Sequence, residues 1–180
     1  MTRTAGHAAS DRFPGMRIAM QLPRISTNLL SGLAEAIAGS PYDGRADLPD
    51  IASELHIEID DLFPVADTLQ LLRFAEVERG DIRLTDAGKA FAAAELDERK
   101  RLFARHLVAY VPLAAHIRRV LEERASHQAP KSRFLDELED HMTDQYAEAT
   151  LRAVISWGRY AELFEYGDDA GVFRLEAPAG

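Results

Sequence analysis

The chain contains no cysteine among its 180 residues, which excludes disulfides, thiolate nucleophiles and Cys-ligated zinc and suits a reducing compartment. It also lacks any run close to the roughly 20 apolar residues that a membrane-spanning helix requires. Arg, Glu or Asp interrupts every apolar stretch within a few positions, so direct membrane insertion is not expected. Residues 1–20 hold no apolar block, and Arg3, Arg12 and Arg17 are scattered through them, which argues against an export signal. The expected location is the cytoplasm. Positive charge is scarce as well, with 21 Lys and Arg against 30 Asp and Glu and a net charge of −9. That balance opposes a polyanionic partner unless the basic residues are segregated. What is present is apolar material, 47% of the residues, enough for one large or two small cores.

Residues 1–21 have no periodicity and read as a flexible tail. From Ser26, Leu29, Leu30, Leu33, Ala34 and Ile37 recur at helical spacing, and Gly39-Ser40-Pro41 closes the pattern. Asp47 precedes a short helix with Pro49 in its first turn, where a missing N–H is harmless. A third helix carries Leu62, Val65, Ala66, Leu69 and Leu72, and Pro64 is expected near its start. The period then alternates: Phe74 to Leu84 reads as two short strands joined at Arg79-Gly80-Asp81, and Thr85-Asp86 caps a helix through Ala94. This order of helices and hairpin is that of a winged helix-turn-helix, assigned to residues 22–96.

Residues 97–176 repeat the plan behind a connecting helix, Asp97 to Arg124, expected to kink at Pro112. A linker over His127 to Pro130 precedes a short helix marked by Phe134, Leu135, Leu138 and Met142, and Thr143 opens a longer one. Trp157 lies on the inner stripe of that longer helix and is expected in the core. The segment Phe74-Ala75-Glu76-Val77 with Ile82-Arg83-Leu84 matches Tyr160-Ala161-Glu162-Leu163 with Phe173-Arg174-Leu175. The fold class expected is mainly α with small β-hairpins, built as tandem winged helix-turn-helix-like units. Residues 177–180 read as a second tail.

Catalytic motifs fail one by one. A phosphate-cradling loop needs Gly-x-x-x-x-Gly-Lys-Ser/Thr, but Gly88-Lys89 is followed by Ala90, has Arg83 at the first Gly position, and falls in a helix. Leu30-Ser31-Gly32 resembles part of a transporter-ATPase signature, yet it lies inside an amphipathic helix. His106 and His116 are not one turn apart, so neither belongs to a His-Glu-x-x-His metal site. No Gly-x-Ser-x-Gly elbow occurs, and the acidic pairs Asp60-Asp61 and Asp168-Asp169 suit a helix start and a turn. No catalytic residue, cofactor-binding residue or metal ligand is therefore assigned, and the chain is read as a non-enzyme.

Charge placement weighs against nucleic acid, the main alternative for a winged helix. The first candidate recognition helix, Asp60 to Arg73, holds three Asp and one Arg; Ala129 to Tyr166 holds four Lys or Arg against eight acids, although Arg152 and Arg159 could reach bases. Only Asp97 to Arg119 is net basic. That helix also contains Tyr110 beside Pro112, and interfaces favour aromatic and arginine anchors, so Arg101, Arg105, Tyr110, Arg118 and Arg119 are the candidate partner interface. The four arginines are expected to be exposed, while Leu107, Leu113 and Ile117 hold the units together.

Several segments carry a family resemblance. Leu22-Pro23-Arg24-Ile25-Ser26, Asp61-Leu62-Phe63-Pro64, Phe74-Ala75-Glu76-Val77, Glu98 to Phe103, Val111 to Leu121 and Trp157 to Phe164 are similar to the C-terminal AAA-associated domain. That module is appended to ATP-binding subunits of nitrate, sulfonate and taurine-type ABC importers, and the similarity runs from about Leu22 to Glu176 in order. The resemblance implies a regulatory or docking role beside an ABC transporter ATP-binding subunit, at the inner face of the membrane through the transporter complex. It supplies no catalytic residues. The upstream nucleotide-binding cassette is not part of this sequence, so a separately encoded or an excised domain is implied. A DNA-binding transcriptional regulator is the alternative, and a homodimeric scaffold the third reading.

Overall fold

The computed structural model describes residues 18–176, which leaves the expected tail at 177–180 and most of that at 1–21 outside the described residues. The fold is mainly helical, with two small antiparallel sheets of three strands each. The first helix, α1 (Thr27–Ala38), starts where the Ser26 hydroxyl accepts the Leu29 N–H at 3.1 Å, and it buries Leu30, Leu33, Ala34 and Ile37 on one face. A short strand β1 (Arg45–Asp47) leads directly into α2 (Leu48–Glu54), capped by the Asp47 carboxylate on the Asp50 N–H. Helix α3 (Ile59–Leu71) buries Leu62, Val65, Ala66 and Leu69.

Pro64 is the sixth residue of α3, deeper than expected. It deprives the Asp60 carbonyl of a helical donor, a loss that is tolerable because Asp60 is exposed and water can replace the bond. Strands β2 (Ala75–Glu78) and β3 (Asp81–Leu84) follow, and β3 lies between β1 and β2 with Ile82 paired to both Ala46 and Val77.

Two helices connect the halves. Thr85 caps α4 (Asp86–Ala93) by accepting the Gly88 N–H at 3.0 Å, and α5 (Leu96–Tyr110) then crosses to the second half. The expected single helix from Asp97 to Arg124 is two: Val111, at φ −117° and ψ 93°, separates α5 from α6 (Pro112–Glu123). The proline ring drives the preceding residue out of the helical region, and burial of Val111 fixes the resulting bend.

The second half then repeats the order of the first, with β4 (Gln128–Pro130), α7 (Lys131–Glu139), α8 (Asp144–Tyr160), β5 (Glu165–Gly167) and β6 (Val172–Arg174). Its sheet has the equivalent order β4-β6-β5, and Phe173 pairs with both Ala129 and Tyr166 as Ile82 does with Ala46 and Val77. The backbone closes both units alike. Leu48 N–H donates to Gly80 and Lys131 N–H to Gly171, while Leu84 N–H donates to Gly44 and Leu175 N–H to His127.

Ile82-Arg83-Leu84 and Phe173-Arg174-Leu175 correspond as the sequence match has them, but the first strand of each hairpin is shifted from that match by three residues. Arg73 and Glu162, at φ 62° and 57°, each end the long helix of their unit, and the next N–H reaches back from Phe74 to Leu69 and from Leu163 to Gly158. Phe74 thus corresponds to Leu163, not to Tyr160. The sequence match followed side-chain likeness, whereas the true equivalence is set by the left-handed residue that stops each helix. Strands β1 and β4 also went unforeseen, and β4 occupies the stretch read as a linker. With one inward residue each, Ala46 or Ala129, they offer no alternation to read.

One continuous core joins both halves. Phe74 stacks on Phe91 of α4 at 4.5 Å and on His106 of α5 at 4.4 Å, and Phe103 of α5 meets Tyr160 of α8 edge-on at 5.2 Å. Ile18, within the stretch read as a flexible tail, is also buried, as is Leu22.

Candidate functional site

The five candidate interface residues do not form one surface. Arg101 and Arg105 are exposed one turn apart on α5, with exposed Val108 continuing their strip. Among the described residues Arg101 pairs only with Glu98, at 3.3 Å, an exposed contact of little energetic weight. Tyr110 is nine residues beyond Arg101, which turns it to about the opposite side of the helix. There the Arg73 guanidinium lies 5.4 Å from its ring centre and His106 lies 5.6 Å away.

Arg118, expected to be exposed, is half-buried and structural. Its Nη1 donates to the Leu163 carbonyl at 2.5 Å and its Nε to Glu122 at 2.8 Å, tying α6 to the start of the second hairpin. The sequence could not show this, because Leu163 is 45 residues away. Arg119 is exposed on α6.

Three of the histidines hold backbone or side chains in place. His106 Nδ1–H donates to the Leu72 carbonyl at 2.6 Å, His127 Nδ1–H to Leu121 at 2.9 Å, and His116 Nε2 meets the Glu137 carboxylate at 2.7 Å. Among the described residues, no group of three or more His, Asp or Glu is placed to hold a metal ion.

The two long helices α3 and α8 occupy equivalent places in the repeat but present opposite charge. On α3 the exposed residues are Asp60, Asp61, Phe63 and Asp67, an acidic face around an exposed aromatic ring. On α8 they are Asp144, Gln145 and Tyr146 in the first turn, ahead of the stretch equivalent to α3, and then Arg152, Ser156 and Arg159, a narrow strip at helical spacing.

The chain segment before α1 lies beside that strip. The Leu22 N–H donates to Thr150 Oγ1 at 3.4 Å and the Trp157 indole N–H to the Ile25 carbonyl at 2.8 Å, so the segment runs along α8 and holds Arg24 over it. Lys131, at the start of α7, reaches Glu148 at 2.5 Å, and Arg152 reaches the same carboxylate at 2.9 Å. The Lys131 hydrogen bond holds the Glu148 carboxyl below its usual range; partial burial opposes the shift, and the charges of Lys131 and Arg152 reinforce it.

Residues 49–167 match the C-terminal AAA-associated domain, about two thirds of the chain. The chain belongs to that family. No curated protein and no solved structure matches it. Membership links this AAA-associated domain to ATPase proteins and gives it an accessory role beside them. No helix among the described residues of the domain is long and apolar enough to cross a membrane.

The acidic face of α3 sets an expectation for nucleic acid. Phosphates approaching the first unit of the AAA-associated domain would meet Asp60, Asp61 and Asp67, so duplex DNA should bind no tighter than roughly 10⁻⁶ M at physiological salt. A fluorescence anisotropy titration over several sequences checks this. A nanomolar, sequence-dependent affinity would show that the acidic face is not what meets DNA.

Proposed function

We propose that the domain is a non-catalytic docking and regulatory module that binds the ATP-binding subunit of a nitrate- or sulfonate-type ABC importer, each half being a winged-helix-like unit. The family link to ATPases supports the partner class. The observation that carries the contact is the outer strip of α5, where Arg101 and Arg105 flank a turn that ends in exposed Val108 on the helix joining the two halves. Such a strip combines charge for steering with apolar area for burial. Tyr110 and Arg118 are set apart from this surface by their positions, and Arg119 remains a rim candidate on α6.

The test is co-purification with the ATP-binding subunit of a nitrate- or sulfonate-type ABC importer. Arg101→Glu with Arg105→Glu should weaken the complex by about ten-fold or more while leaving the melting temperature within a few degrees, because neither arginine packs in the core. An intact complex with the doubly reversed chain removes α5 from the interface. Failure of the unaltered chain to bind any transporter subunit removes the transporter reading itself.

A further inference from the structure

The cationic strip on α8 forms one wall of a cleft of about 440 Å³, lined by Arg24, Lys131, Arg152, Arg159, Ser156 and Tyr166 above a floor that includes the buried Ile155. Its size falls within the range of small-molecule sites. Asp168 is the one carboxylate on the lining, and it pairs with Arg159 at 3.1 Å. Arg159 also donates to the Tyr166 carbonyl, which holds its guanidinium at the cleft edge. Lys131 and Arg152 share the single carboxylate of Glu148. Arg24 has no hydrogen-bond or ion-pair partner among the described residues, yet anchors on both sides, Leu22 to Thr150 and Ile25 to Trp157, hold its backbone against α8. Four cations against two carboxylates leave an excess of positive charge in a chain whose net charge is −9.

The fold does not require this charge. By the backbone equivalence of the two units, Lys131 stands where the first unit has Leu48, Arg152 where it has Phe63, Ser156 where it has Asp67 and Arg159 where it has Gln70. The first unit closes in the same way with none of these cations. Gln70 there accepts the Val77 N–H at 2.7 Å, while at the equivalent place Arg159 donates to the Tyr166 carbonyl, so both tie helix to hairpin through bonds of opposite direction. A neutral side chain thus ties helix to hairpin in the first unit, and closing a unit of this kind does not of itself call for a cation.

We propose that this cleft binds a dianionic oxyanion of the phosphate class, with Arg24 and Arg152 as its principal donors, Lys131 and Arg159 completing the positive field, and the Ser156 and Tyr166 hydroxyls as neutral donors. Guanidinium groups match the paired oxygens of such an anion. The site is separate from the α5 strip and stands or falls independently of the transporter contact.

Isothermal titration of the whole chain tests it, with inorganic phosphate and then glycerol phosphate as probes in sodium chloride of matched ionic strength. Saturable binding of at least one probe is expected. Arg24→Gln with Arg152→Gln should weaken it by about ten-fold or more, as the loss of two charge-assisted donors implies. Arg101→Gln with Arg105→Gln removes the same charge from α5 and should leave it unchanged. Arg24→Gln alone, which breaks no pairing, should weaken binding without altering the melting temperature. Tighter binding of the ester would identify an esterified phosphate as the ligand, and equal or weaker binding the free anion. Heats indistinguishable from dilution for both probes, or equal weakening by the α5 and cleft variants, would overturn the proposal.

Discussion

Gly88→Ala is expected to lower the melting temperature by on the order of 10 °C or more, since overpacking of this kind costs about 3 kcal/mol and each kcal/mol shifts a chain of this size by about 2–4 °C. A Cβ at Gly88 would lie 1.8 Å from the Phe74 carbonyl oxygen, far inside contact distance. That oxygen cannot move away cheaply. It accepts the Thr85 N–H at 3.0 Å, and the Phe74 ring is clamped between Phe91 and His106. Gly158→Ala offers the contrast, because its Cβ would meet the Phe164 ring at 2.2 Å, a side chain and not backbone. Phe164→Leu should therefore recover part of the loss at Gly158, whereas no side-chain truncation should rescue Gly88→Ala. Thermal melts followed by circular dichroism, on the singles and the Gly158–Phe164 double variant, decide it. A Gly88→Ala protein within a few degrees of the unaltered chain would mean that α4 does not approach Phe74 this closely.

Trp157→Ala should destabilise the chain by about 3–5 kcal/mol, the usual cost of deleting a fully buried aromatic side chain. Trp157 is completely buried on α8, and its indole N–H satisfies the Ile25 carbonyl 132 residues earlier in the chain. The substitution removes both the packing and the tie that docks the segment before α1. Trp157→Phe separates the two, keeping most of the ring while losing the N–H, and should cost about 1–3 kcal/mol by stranding that carbonyl. Hydrogen exchange gives the local readout: the Leu22 amide, bonded to Thr150 Oγ1, should lose protection in both variants. A Leu22 amide that exchanges at its original rate in Trp157→Ala would show that the segment is held by other contacts.

These two sites mark where legibility in the sequence ends. Trp157 was readable as core, because its neighbours on the inner stripe of α8 recur at helical spacing, but its bond to Ile25 was not. The threonine caps were readable too: Thr85 and Thr143 both accept an N–H three residues ahead, as a local signal can specify. Gly88, by contrast, looked like a failed phosphate loop. Its real constraint is a strand-entry carbonyl 14 residues earlier, brought close only when α4 packs on Phe74.

The candidate site divides in the same way. Arg101 and Arg105 are exposed as their helical positions required, whereas Arg118 is held by Leu163, a contact that depends on how α6 meets the second hairpin. Arg24 stands in a segment of family resemblance and Lys131 in no motif, and neither is marked by the sequence as a ligand-binding residue. They join Arg152 and Arg159 because chain entry, helix start and long helix converge, and no local spacing encodes that convergence.

By itself the sequence determined what depends on neighbours along the chain. Helical periodicity, threonine caps and the hairpin turn at Gly80 follow from residues a few positions apart, and they sufficed for the helical class; the family resemblance rested on the residues of particular segments such as Val111 to Leu121. Only the tertiary structure decided the third strand of each sheet, the three-residue shift in the repeat, the role of Arg118 and the opposite charge of the two equivalent long-helix faces. Each of these requires knowing which distant groups a residue meets. Packing and hydrogen bonding between remote segments select those partners, and a single sequence records their identity without recording their distance.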